Sequence, residues 1–166
     1  MYVATVDGIH CRIWEPRKFP STKWYSHKHK QAGLTYEIAV CIHHNAIAFM
    51  SGPFPASVSD KMIFDRPGGL ASKLKDHQKV VADQGYVGTE KAATRNEFDS
   101  PEVKKFKGRA KARQETINAR LKAFGVLNQN FRTPGKLRLP RHKACMEACC
   151  VIVQYELENN SPLFEI

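Results

Sequence analysis

Three acidic residues lie in contexts that could support metal-dependent chemistry: Asp7 in Thr5-Val6-Asp7-Gly8, Asp83 in Ala82-Asp83-Gln84-Gly85-Tyr86, and Glu115 at the head of ETINARLK, residues 115–122. Asp83 ends the apolar run Val80-Val81-Ala82, with a glycine two residues on to turn the chain. Ligands of open α/β sheets collect beyond the carboxyl ends of the strands. Two acids on neighbouring central strands would therefore meet in one electronegative spot. Like charges at close range raise each other's pKa, and a divalent cation removes that conflict. Magnesium takes oxygen ligands and keeps several waters, so two or three carboxylates and a phosphate suit it. With a third acid on a late helix, two ions roughly 4 Å apart could activate a water and stabilise the leaving oxygen of a phosphodiester. A lone aspartate at a strand end is ordinarily a turn residue. With 75 residues between Asp7 and Asp83 and 31 between Asp83 and Glu115, spacing alone does not make the site.

The elements that must carry these acids are legible in outline. Val3 to Trp14 reads as a strand stopped by Glu15-Pro16. Leu34 to His43 and Ala46 to Ser51 flank His44-Asn45 and predict a hairpin, giving three antiparallel strands with the first. Ser57 or Ser59 caps a helix whose first turn holds Asp60, better read as a helix-start residue than as a fourth metal ligand. That helix stops by Pro67-Gly68-Gly69 and resumes over Leu70 to Lys75. Lys79 to Ala82 is apolar on both faces, as a central strand covered by helices must be. Lys91 to Arg95 reads as one more short strand, with a weaker signal. From about Arg109 to Leu127, Ile117, Leu121 and Phe124 form one helical stripe, with Glu115, Ala119 and Lys122 on the other side. A basic connector, Thr133 to Arg141, leads to a last helix over about His142 to Glu158. The prediction is an α/β fold in one domain over residues 1–166, its mixed sheet of three antiparallel then parallel strands flanked by helices.

Lysine and arginine number 26 against 16 acids, a net charge of +10 that favours polyanionic partners. Six cations, Lys104, Lys105, Lys107, Arg109, Lys111 and Arg113, fall just before Glu115. Such a run is either a solvated helix face or a phosphate-binding one. Lys28 and Lys30 follow Trp24 and Tyr25, a basic and aromatic pairing suited to DNA backbone and bases. Lys122, on the Glu115 side of its helix, is the strongest single candidate for a phosphate contact, with Lys111 and Arg113 beside it. Five cysteines are an odd number, and no signal-peptide core or long apolar segment accompanies them, which points to reduced thiols within a cell and away from a membrane. A nuclear address is expected if the cell has a nucleus, the cytoplasm otherwise. His142, Cys145, Cys149 and Cys150, with Cys41, His43 and His44, raise a zinc site, but no paired C-x-x-C units occur and buried cysteines on an apolar helix face are commoner. The chain enters a β-prone run at its first residues, so it is expected to be truncated at the N-terminus.

Taken together, these segments resemble the DDE superfamily endonucleases, specifically the catalytic domain of PIF/Harbinger-like transposases. The first-aspartate strand is similar to Thr5-Val6-Asp7-Gly8 and its proline turn to Trp14-Glu15-Pro16-Arg17. Tyr25 to Lys30, Leu34 to Glu37 and Pro55 to Asp60 resemble further family segments, Asp83-Gln84-Gly85-Tyr86 the second-aspartate motif, and residues 115–122 the helix of the third acid. Ala56 stands where the family has glycine, Ser59 where it has histidine, and Lys111 where related families have arginine. The resemblance implies an RNase H-like fold and metal-dependent nicking and joining of DNA, with Asp7, Asp83 and Glu115 holding two magnesium or manganese ions. It also implies an upstream DNA-binding segment, a role for a separate DNA-binding protein, and homo-oligomerisation. Two other readings stay open: a relative that binds DNA or protein without catalysis, and an enzyme acting on RNA hybrids.

Overall fold

β1 (Tyr2–Arg12) buries side chains on both faces, Val6 on one and Ile9 and Cys11 on the other, so layers of structure must cover it twice. The computed structural model describes residues 1–16, 21–133 and 135–166. After β1 come β2 (Tyr25–Ser26), β3 (Gln31–Cys41) and β4 (Ile47–Pro55), then the short helices α1 (Asp60–Asp65) and α2 (Leu70–Lys73). β5 (Lys79–Val81), β6 (Ala92–Ala93), α3 (Pro101–Ala123), α4 (Gly125–Asn128) and α5 (Arg138–Asn159) complete the order.

β3 is the most deeply buried strand and pairs antiparallel with β1, β2 and β4. β1 pairs parallel with β5, and β5 parallel with β6. The predicted sheet of three antiparallel strands followed by parallel ones is therefore the observed one. On one face, Ile9, Tyr36 and Ile38 pack against Ile117 and Leu121 of α3 and Met146 of α5. On the other, Val6, Ala39 and Val80 pack against Phe64 of α1, Leu70 of α2 and Tyr86. Val80 and Val81 are both fully covered, as expected of a strand apolar on each side.

Several boundaries depart from the sequence reading: β3 begins at Gln31 rather than Leu34, β4 runs to Pro55 rather than Ser51, and the late helix breaks after Ala123. Tyr25-Ser26, expected as loop, forms a two-residue ladder with β3. α3 begins eight residues earlier than expected, at Pro101, where the Ser100 hydroxyl accepts the Val103 N–H at 3.3 Å. Val103, Phe106 and Ala110 carry the apolar stripe back to these first turns at spacings of three and four, and Phe106 and Ala110 pack in the core, but the lysines and arginines between them read as a solvated run. α5 starts at Arg138 because Pro140 falls in its first turn, where no intrahelical N–H is lost. Of the expected proline turn, Arg17 lies outside the described residues, and so does Pro134 of the basic connector.

A candidate active site at the ends of the central strands

The β1–β5 register sets Thr5 opposite Val81, so Asp7 and Asp83 each stand two residues beyond one matched pair. Asp83 lies just past the end of β5, where its Oδ1 accepts the Gly85 N–H at 2.8 Å and opens a single 3-10 turn over Gln84–Tyr86. This is the turn role that a lone aspartate ordinarily has, yet it also aims the residue toward β1. Asp7 shares the Thr5 side of β1, the side covered by α3, and Glu115 projects from that helix. Asp7, Asp83 and Glu115 all line one small cleft of about 130 Å³, with Lys111 and the buried amide of Gln114 in its wall.

Asp7 is held at both oxygens. Oδ1 accepts the Gly8 N–H at 2.8 Å, and Oδ2 accepts Nδ2 of Asn118 at 2.7 Å. Asn118 is in turn fixed by Gln114, whose Nε2 donates to Asn118 Oδ1 at 3.1 Å and whose Oε1 accepts the Thr5 hydroxyl at 2.7 Å. The chain Thr5–Gln114–Asn118–Asp7 thus locks α3 to the strand that bears the first acid. Sequence reasoning missed both amides. Their i, i+4 spacing on the helix of Glu115 was the available signal.

Asp60 joins these acids. A Cβ on Gly8 would collide with its Oδ1, and one on Gly85 would lie 3.0 Å from both Asp60 Oδ2 and Asp83 Oδ1, so only glycine lets the carboxylate approach. Asp60 is the first residue of α1, capped by Ser59 as predicted, and it also completes an acidic group. Burial pushes the Asp7 carboxyl up to about 6, with Asp83 and Asp60 adding repulsion, while the Gly8 N–H and Lys28 oppose the shift. Asp60 is raised for the same reasons, burial first and then Asp83. Behind Gly8, in register on β3, Glu37 is buried with neither carboxyl oxygen partnered among the described residues, and burial raises it to about 8.

The donor set is all oxygen and short of positive charge, which suits a hard divalent cation. Among the described residues no three His, Cys, Asp or Glu side chains are placed to hold one ion. Magnesium sites commonly use one or two carboxylates with waters and substrate phosphate, so pairs of these acids meet its need without a closed triad. The residues fit such an ion in composition.

The basic residues sort differently. Lys111 lines the cleft, and Lys28 is exposed but near enough to act on Asp7 and Asp60. Lys30 is exposed at the left-handed end of the β2–β3 turn, with φ of 52°. Arg113 turns inward instead: it is 3% exposed and donates to the carbonyls of Phe164, Cys41 and His44. Lys122 is half-buried, its ammonium donating to the carbonyls of His10 and Leu127. Neither cation is offered to a phosphate in this conformation, because each meets carbonyls that the packing leaves without helix or sheet partners. Lys107 similarly pairs with Asp99 at 2.8 Å. The His142–Cys150 stretch enters the core, with His142 Nδ1 2.8 Å from the Tyr36 hydroxyl and Cys149 buried.

Fold and cleft together define a class: an α/β protein with a mixed sheet and a carboxylate-lined cleft where the parallel pairing of β1 and β5 ends. Residues 6–154 match the DDE superfamily endonuclease family, and the chain belongs to it. The match spans all three acids, and with it the mixed sheet is an RNase H-like one. No curated protein and no solved structure matches the chain. The family makes this a transposase-like nuclease domain, with DNA as the implied substrate. No helix among the described residues is long and apolar enough to cross a membrane.

Proposed function

We propose that the chain is the divalent-metal-dependent nicking and strand-transfer domain of a PIF/Harbinger-like transposase or a derivative of one, with Asp7, Asp83 and Glu115 as the metal-holding catalytic acids. The observation that carries this reading is the arrival of three carboxylates from β1, the end of β5 and α3 at one cleft. When bound, magnesium or manganese ions supply an activated oxygen nucleophile and charge for the departing oxygen. The chain's own residues do the rest. Asn118 and the Gly8 N–H keep Asp7 oriented, Lys111 would meet a phosphate at the cleft wall, and Glu115, exposed on α3, would be the third acid to hold the ions.

The test is nicking of supercoiled plasmid with magnesium, with manganese and with chelator. The wild type nicks with either metal and not with chelator, while Asp7→Asn, Asp83→Asn and Glu115→Gln each lower the rate at least about a hundredfold. Undiminished nicking by all three variants sinks the assignment. A second reading, a relative that binds DNA or protein without cutting, is favoured by the lack of a ready three-ligand metal site among the described residues. It gains if the wild type retards DNA in a gel and leaves plasmid intact under every metal condition.

A further inference from the structure

Beside the acidic cleft lies a second, larger pocket of about 220 Å³ between the second half of β1, the turn after Ser26, and the residues leading into α1. Asp60 and Gly8 belong to its wall, and Asp60 also reaches toward Asp83 and Gly85, so the two depressions share a side. Its most unusual lining residue is His10. That side chain is 9% exposed, and neither ring nitrogen has a partner among the described residues. A buried polar group without a partner costs free energy unless a ligand or water meets it.

The His10 ring is held firmly. It stacks on His29 with centroids 4.3 Å apart and planes 19° from parallel. It also lies over Gly33, where a Cβ would run into Cε1 and Nε2 of the ring. Burial, together with His29, Lys122 and Arg12, lowers its pKa to about 4, so at neutral pH it has one donor nitrogen and one acceptor. A phosphate needs donors alone, and the Asp60 carboxylate in the same wall repels it. A neutral ligand with mixed donors and acceptors matches, and a planar one matches the histidine stack. The space is below that of sites for drug-sized ligands, which suits a single ring system. Lys28 stands at the rim, positioned for the backbone that such a ring would hang from.

We propose that this pocket receives one unpaired nucleobase of the DNA strand lying in the neighbouring cleft, held against the His10–His29 stack and read at its edge by His10. The assignment rests on the DNA-processing reading above. Enzymes that take a base out of the duplex hold it by stacking and by hydrogen bonds to its edge.

The test compares binding of two short labelled oligonucleotides by the full chain in chelator: a deoxyadenosine strand, and a strand with the same backbone and abasic sugars throughout. The wild type is expected to prefer the base-bearing strand about tenfold, the size of one stacking contact. His29→Ala, at an exposed position, and His10→Phe, which keeps the stack but removes the nitrogens, both shrink that preference by weakening the base-bearing strand more than the abasic one. Without any variant, the ring nitrogen resonances of His10 move on titration with deoxyadenosine and stay fixed with inorganic phosphate. Equal loss of both strands in the variants, or a His10 response to phosphate, overturns the proposal in favour of a backbone contact. A preference that neither variant changes overturns it as well. Failure to bind either strand removes the DNA reading along with it, whereas binding of both strands without preference removes the base pocket alone.

Discussion

Asp7 shows how a carboxylate is kept buried beside other acids at the expense of stability. Its folded carboxyl titrates near 6 against an ordinary value of 3.8. Between those two pH values the folded protein keeps a proton that the unfolded chain has lost, so metal-free stability falls as pH rises from about 4 to about 6. Asp83, Asp60 and Lys28 are the charged groups that act on it. Asp7→Asn is therefore expected to stabilise the metal-free protein by about 1–2 kcal/mol near pH 7 and to leave it unchanged below about pH 4, read as thermal melts in chelator. A melt that drops at neutral pH would show that neither burial nor the neighbouring acids penalise the carboxylate. Asn118 offers the complementary case. Asn118→Ala frees Asp7 Oδ2 and should cut nicking about 10- to 100-fold, and by breaking the chain that ties α3 to β1 it should also lower stability by about 1 kcal/mol. The three acids were legible in the sequence because the family motifs mark them. Asn118 and Gln114 were not, because an amide in a polar helix looks solvated until the helix is docked.

At the scale of elements, α3 delivers Lys111, Glu115 and Asn118 together, so its docking decides whether the cleft exists. Ile117 and Leu121 are fully buried against the sheet, and Ser100 caps the N-terminus. Ile117→Ala should destabilise by about 3 kcal/mol and Ser100→Ala by about 1 kcal/mol, both measured as shifts in urea unfolding. An Ile117→Ala loss well below 1 kcal/mol would mean that α3 is not held by this stripe. The stripe itself was readable from the spacing of Ile117, Leu121 and Phe124. The first turns were overlooked, since the cations from Lys104 to Arg113 mask the period of Val103, Phe106 and Ala110, of which Phe106 and Ala110 pack in the core while Lys107 bonds Asp99 and the Thr94 carbonyl.

Across the whole molecule the net charge of +10 predicts DNA binding that weakens steeply with salt. The structure separates the cations that contribute from those that do not. Lys111→Ala should lower the slope of log affinity against log salt by about one, as loss of a phosphate contact does. Arg113→Ala should leave the slope alone and instead lower stability, because its guanidinium ties the carbonyls of Phe164, Cys41 and His44 together. Titrating gel-shift affinity over several salt concentrations checks both. Equal slopes for Lys111→Ala and wild type would exclude Lys111 from the phosphate path.

Local pattern determined most of the strands, and the resemblance to family motifs marked Asp7, Asp83 and Glu115, because apolar period, turn residues and short motifs are properties of neighbours along the chain. Which cations face solvent was decided elsewhere. Arg113 and Lys122 read as phosphate contacts until the ends of β3 and β1 presented them with carbonyls, and Asp60 read as a helix start until Gly8 and Gly85 made room for it beside Asp83. Those outcomes depend on groups 25 to more than 100 residues away in sequence, and packing at close range is what brings them into reach.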